Sequence, residues 1–148
     1  MQNESTYVLL ADDDEDDRLF FKEAFEAIRI KTIVKTVKDG VELLNHLAVN
    51  RNKLPHILFL DLNMPFKSGM ECLMEIRKTD YLKHIAIAIY STSASEQDIE
   101  DAFINGANVY IKKPHDFDTL RKLLEKVVTI NGHYQSSGLN RDGFLLSL

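Results

Sequence analysis

The sequence predicts a single α/β domain, a five-stranded parallel sheet with helices on both faces. Three observations lead there. Short apolar runs alternate five times with amphipathic stretches. The runs are nearly continuous rather than alternating, as strands buried on both faces of a parallel sheet must be. The chain, at 148 residues, fits one domain of ordinary size with a real core.

Each element can be justified in turn. Tyr7–Ala11 is the first strand, and Phe21, Ala24, Phe25 and Ile28 then repeat at i, i+3, i+4, i+7, the apolar stripe of a helix. Thr32–Val37 is β-branched but more alternating, which places it nearer a sheet edge. Val41, Leu44 and Ala48 mark the second helix, and a rather long connection, Val49–His56, leads into the third strand, Ile57–Leu60. Ser68 with Glu71 forms a capping box for the third helix. Ile85–Tyr90 is the fourth strand, Ser95 with Asp98 begins the fourth helix, and Gly106 stands where that helix should stop. Asn108–Ile111 is a short fifth strand, followed by a helix marked by Leu120, Leu123, Leu124 and Val127. Right-handed crossovers fold this (βα)5 order into a doubly wound, three-layer sandwich over residues 1–130. Residues 131–148 run through NGHYQSSGLNRDG, rich in turn formers, to FLLSL. This tail is too short for a second domain and is expected either to be mobile or to dock on the domain or a partner.

Composition narrows the function. A net charge of −5 without a basic run argues against a nucleic-acid surface, whose affinity rests on Lys and Arg at phosphates. The single cysteine, Cys72, excludes an internal disulfide and falls in a helical pattern, where a buried structural thiol is expected. No 18-residue apolar stretch is present, and the N-terminal MQNEST lacks a secretory signature, so a cytoplasmic protein without membrane contact is expected. The five histidines, His46, His56, His84, His115 and His133, show no metal-ligand spacing and are expected to pack or face solvent.

The chemistry lies where the strands end. The first runs into Asp12-Asp13-Asp14, the third into Asp61, the fourth into Ser91, and the fifth into Lys112-Lys113-Pro114. In open parallel sheets, ligands bind outside the carboxyl ends of strands, near the point where strand order reverses. Like charges gathered there repel, and a divalent cation resolves this; hard oxygen ligands suit Mg²⁺. Singly, each residue has an ordinary reading. Asp12–Asp17 could be a solvated loop and an acidic helix start, Asp61 a turn residue, Ser91 a backbone-satisfied hydroxyl, Lys113 a surface lysine. The same acidic stretch also imitates a calcium loop, with Asp12, Asp14, Asp16 and Glu23 at positions 1, 3, 5 and 12, but Asp17 stands where that loop needs glycine. Co-occurrence at four strand ends is what the ordinary readings leave unexplained.

These motifs, VLLADD, ILFLDLNMP, IYSTS and YIKKP, resemble the receiver domain of bacterial response regulators over roughly residues 6 to 130. The spacing agrees, with Ser91 falling 30 residues and Lys113 52 residues after Asp61. The resemblance implies a flavodoxin-like strand order 2-1-3-4-5 and a stand-alone two-component switch. In that reading Asp61 is the nucleophile that takes a phosphoryl group from a sensor histidine kinase or phosphotransfer protein. Asp13 ligates Mg²⁺ directly, Asp12 mainly through water, and the backbone carbonyl of Asn63 adds a contact. Lys113 pairs with phosphoryl oxygens, and the Lys113–Pro114 bond is cis. The Ser91 hydroxyl moves to the phosphoryl group, vacating space for the ring of Tyr110, the switch aromatic. Output would pass through the surface of the fourth helix, fifth strand and fifth helix, to an unnamed target or a second copy, or by onward phosphotransfer. The resemblance implies self-phosphorylation and slow self-dephosphorylation rather than turnover. A rival is a small phosphatase of the haloacid dehalogenase type, whose first motif Asp12-x-Asp14 imitates, although Asp16 stands where that motif has Thr or Val and Asp61 would go unexplained. A degenerate receiver serving as scaffold is the remaining alternative, yet every required group is present.

Overall fold

A computed structural model describes residues 5–130 and the strand Leu145–Leu146. The elements alternate as β1 (Thr6–Ala11), α1 (Glu15–Glu26), β2 (Thr32–Val37), α2 (Gly40–Val49), β3 (Ile57–Leu60), α3 (Gly69–Lys78), β4 (Ala86–Ser91), α4 (Glu96–Ile104), β5 (Val109–Lys112) and α5 (Phe117–Thr129). Their strands pair in parallel in the order β2-β1-β3-β4-β5, with β2 at the edge that its alternating sequence implied.

The pleat divides the strand residues between two cores. Leu9, Leu58, Leu60, Ile87, Ile89 and Tyr110 face Leu43, Leu47, Leu73, Ile76 and Ile99 of α2, α3 and α4. Val8, Leu10, Phe59, Ala88, Tyr90 and Ile111 face Phe21, Phe25, Leu120, Leu124 and Val127 of α1 and α5. Burying each large apolar side chain contributes roughly 1.5–3 kcal/mol, so both faces of the sheet are strongly held. Edge-to-face contacts of Phe21 with Phe59 and Tyr90 fix the α1 side.

Caps set the helix boundaries. The Ser68–Glu71 capping box closes in both directions at α3. At α4 only half of it forms: Ser95 accepts from the Asp98 N–H, while the Asp98 carboxylate takes the Ser93 hydroxyl instead. Gly106, at φ +96°, stops α4 as expected.

One strand was not anticipated. Leu145–Leu146 form β6, parallel to β5, with Tyr110 opposite Leu145 and Ile111 opposite Leu146. The rest of the tail, 131–144 and 147–148, lies outside the described residues.

Candidate functional site

Strand order reverses between β1 and β3, and the carboxyl ends of these two strands carry Asp12 and Asp61. Backbone pairing places both. The Asp12 N–H donates to Val37 O at 3.1 Å, and the Asp61 N–H to Ala11 O at 3.0 Å, so each residue continues the ladder one step beyond its strand. Gly69 then brings the start of α3 against the Asp61 carbonyl, donating its N–H to Leu62 O at 2.9 Å; a Cβ there would lie only 2.0 Å from Asp61 O. On the other side, Lys113 donates its backbone N–H to Ser91 O at 2.8 Å, which joins the ends of β4 and β5.

Asp12, Asp61, Ser91 and Lys113 are all buried, and Asp13 is exposed. The Lys113 ammonium sits among three carboxylates, 2.8 Å from Asp12 Oδ2, 2.8 Å from Asp17 Oδ2 and 3.3 Å from Asp61 Oδ2. Burial pushes the Asp12 carboxyl up to about 6 and raises that of Asp61 as well, against the pull of Lys113. Burial disfavours the Lys113 charge too, but its close ion pairs with Asp12 and Asp17 and the charge of Asp61 outweigh it and hold the ammonium above the ordinary lysine range.

Carboxylate oxygens of Asp12, Asp13 and Asp61 lie within 4.8 Å of one another, a spacing that a divalent cation could bridge. Asp12 Oδ2 is buried and has a charged neighbour in Lys113, yet the ion pair lacks hydrogen-bond geometry, and no other group among the described residues satisfies the oxygen. An all-oxygen donor set with one unsatisfied buried oxygen fits a hard cation. Asn63, in the β3–α3 loop, donates its N–H to Asp61 Oδ1 at 3.3 Å.

Other sequence expectations resolve differently. The Lys113–Pro114 bond is trans, not cis, which is the intrinsically favoured form of an X–Pro bond. The Tyr110 ring is fully buried in the core beneath α2, α3 and α4, and its hydroxyl donates to Ser93 O at 2.7 Å. The Ser91 hydroxyl accepts the Ser93 N–H at 3.2 Å, so Ser91 and Tyr110 meet at the same loop. Lys112 faces solvent and Asp14 caps α1, its carboxylate accepting the Asp17 N–H at 2.9 Å; neither points into the cluster. The capping role disposes of the phosphatase motif, which needs Asp14 as an acid at the reacting centre. His46 bonds the Tyr7 hydroxyl and His56 Nδ1 accepts the Tyr7 N–H, as packing residues do. Asp17 is the residue that sequence reasoning missed. Its acidity in a first helical turn is what the helix dipole favours anyway, so nothing local separates it from Glu15 and Asp16.

Residues 8–125 match the response regulator receiver domain. The chain belongs to that family. A probable methanogenesis regulatory protein of Methanothrix harundinacea, FilR2, is 28% identical over 123 residues, covering 81% of this chain and 79% of its own. Response regulator Rcp1 of Synechocystis is 26% identical over 129 residues, covering 84% and 88%. Among solved structures, the phosphorylated cyanobacterial phytochrome response regulator RcpA is 30% identical with a TM-score of 0.78, covering 86% of this chain and 94% of that one. The Mn²⁺-bound form of Rcp1 is 25% identical with a TM-score of 0.74, covering 91% and 99%. The chain is therefore a two-component response regulator receiver, a phosphoacceptor switch of a family that binds Mg²⁺ and takes phosphate from histidine kinases or phosphotransfer proteins. No helix among the described residues is long and apolar enough to cross a membrane.

Proposed function

We propose that Asp61 is the phosphoacceptor. The observation that carries this is the placement of a buried carboxylate beside the Lys113 ammonium and within cation-bridging distance of Asp12 and Asp13. An Asp61 carboxylate oxygen attacks the phosphorus of a phosphohistidine; the P–N bond breaks, its electron pair stays on the donor's imidazole nitrogen, and an acyl phosphate forms. Such transfer depends on in-line placement and charge neutralisation more than on covalent help from the protein. Asp12, Asp13, Asp61 and the Asn63 carbonyl are the residues that would hold Mg²⁺, which neutralises phosphoryl charge when bound. Lys113 supplies the second positive charge, and the Asn63 N–H keeps one Asp61 oxygen oriented.

Ser91 and Tyr110 form the switch in this reading. A phosphoryl group on Asp61 draws the Ser91 hydroxyl away from the Ser93 N–H and so acts on the loop that holds Tyr110. The loop leads directly into α4, and the α4–β5–α5 face becomes the output surface toward a protein target, a second copy or a further phosphotransfer partner. A cytoplasmic location belongs to this reading, carried by the nature of the phosphodonor. The switch labels itself once and hydrolyses slowly. Asp61→Asn should abolish base-labile phosphate incorporation from radiolabelled acetyl phosphate with Mg²⁺, while the wild type incorporates up to one phosphate per chain; wild-type incorporation in Asp61→Asn would overturn the assignment.

A further inference from the structure

We propose that Asp17 is a positioning residue for Lys113, the carboxylate that keeps the ammonium over the site when a cation occupies the other two. Asp17 lies in the first turn of α1, 96 residues away in sequence, and its Oδ2 accepts from Lys113 Nζ at 2.8 Å. Its neighbours Glu15 and Asp16 are exposed, as acids serving only the helix dipole would be, whereas Asp17 is half-buried and turned toward the lysine. Asp12 and Asp61, the other partners of Lys113, belong to the oxygen cluster that fits a cation, and Asp17 does not. Once a cation draws on the oxygens of Asp12 and Asp61, Asp17 alone remains to fix the direction of the ammonium. A lysine on a four-carbon stem has no orientation of its own, so a fixed carboxylate supplies what the side chain lacks.

The inference rests on Asp61 being the acceptor, and its test separates the two. In the full chain at saturating Mg²⁺, urea unfolding of wild type, Asp17→Ala, Lys113→Ala and the double variant should give a coupling of roughly tenfold in the folding equilibrium, the worth of one charged hydrogen bond. Additive effects would overturn the proposal whatever Asp61 does. In the same proteins, Asp17→Ala should lower the maximal rate of phosphorylation by acetyl phosphate by roughly tenfold, with the Mg²⁺ half-saturation within about threefold of wild type. The same substitution in Lys113→Ala should change the rate less than about twofold. A wild-type maximal rate in Asp17→Ala, or an equal loss in the Lys113→Ala background, would refute the positioning role. So would a raised half-saturation at unchanged maximal rate, which would make Asp17 a metal ligand. If the coupling is present while wild type takes no phosphate, the reading of Asp61 has failed and the ion pair still stands. Should Asp17→Ala not fold, the isosteric Asp17→Asn is measured identically, with a smaller loss expected because an oxygen acceptor stays in place.

Discussion

Phe66, in the loop between β3 and α3, stands at φ +69° and is 85% exposed. The Lys67 N–H donates back to Pro65 O at 2.7 Å, closing a γ-turn around the phenylalanine. An L-residue in the left-handed region costs about 1–2 kcal/mol, and so exposed a ring recovers little of that by packing. Phe66→Gly should therefore raise stability by about 1 kcal/mol, visible as a higher urea midpoint with an unchanged slope. A lower midpoint would mean that the ring contributes packing that its exposure does not suggest. Strain of this kind tends to be kept beside functional sites, and this turn lies between Asp61 and α3. Cys72 is the opposite case, a residue whose surroundings leave it no chemistry. It is fully buried, its Sγ lies 3.6 Å from Gly40 O, and burial pushes the thiol up to about 11, so it is a packing residue, as its helical position implied.

Arg77, at the end of α3, ties that helix to the sheet edge opposite the site. It donates to Gly106 O at 2.9 Å, Lys83 O at 3.0 Å, Ile85 O at 2.7 Å and Asn108 Oδ1 at 3.0 Å. One planar side chain thus satisfies the segment entering β4 and the turn entering β5. Arg77→Ala should cost about 3 kcal/mol in urea unfolding, because it strands several partly buried acceptors, and Arg77→Lys should recover only part of it. A loss below about 1 kcal/mol would show that water replaces the clamp. The elements themselves were legible in the sequence wherever one residue sufficed to mark them: the Ser68–Glu71 box, Gly106 and the apolar runs at Ile57–Leu60 and Ile85–Tyr90. The cluster was legible too, because Asp12, Asp61 and Lys113 each follow a strand and Ser91 ends one, and a parallel sheet sends all such ends to one side. What escaped depends on pairs distant in sequence or on backbone geometry. The Asp17–Lys113 contact joins α1 to β5, the Arg77 clamp joins α3 to the turn before β5, and the γ-turn at Phe66 has no residue signature, since glycine would have announced it and phenylalanine does not. The Asp98–Ser93 contact escaped for the same reason, as Asp98 finds Ser93 only once the β4–α4 loop is folded.

At the scale of the whole molecule, the site sets a charge problem that the fold carries as a cost in stability. Burial raises the carboxyls of Asp12, to about 6, and of Asp61. For an acid raised in the folded state, the native protein binds more protons than the unfolded chain between the ordinary carboxylate range and the raised value. Stability therefore falls as pH climbs through that window, and the loss is complete above about pH 6 for Asp12. His46 works in the other direction: burial lowers its ring below the usual value, so its contribution grows as pH rises through the histidine range. Comparison with Asp12→Asn isolates the carboxylate part. In EDTA, the Tm of wild type relative to Asp12→Asn should fall between pH 5 and pH 7. A cation that binds only the folded state stabilises it by mass action, so excess Mg²⁺ should raise the wild-type Tm more at pH 7, with the cluster ionised, than at pH 5. Asp13→Ala should blunt that Mg²⁺ response by removing the exposed carboxylate of the same cluster. If the difference between wild type and Asp12→Asn does not change with pH, burial of Asp12 is not what the fold tolerates to keep its site; if Asp13→Ala gains as much from Mg²⁺ as wild type, the cation is bound elsewhere.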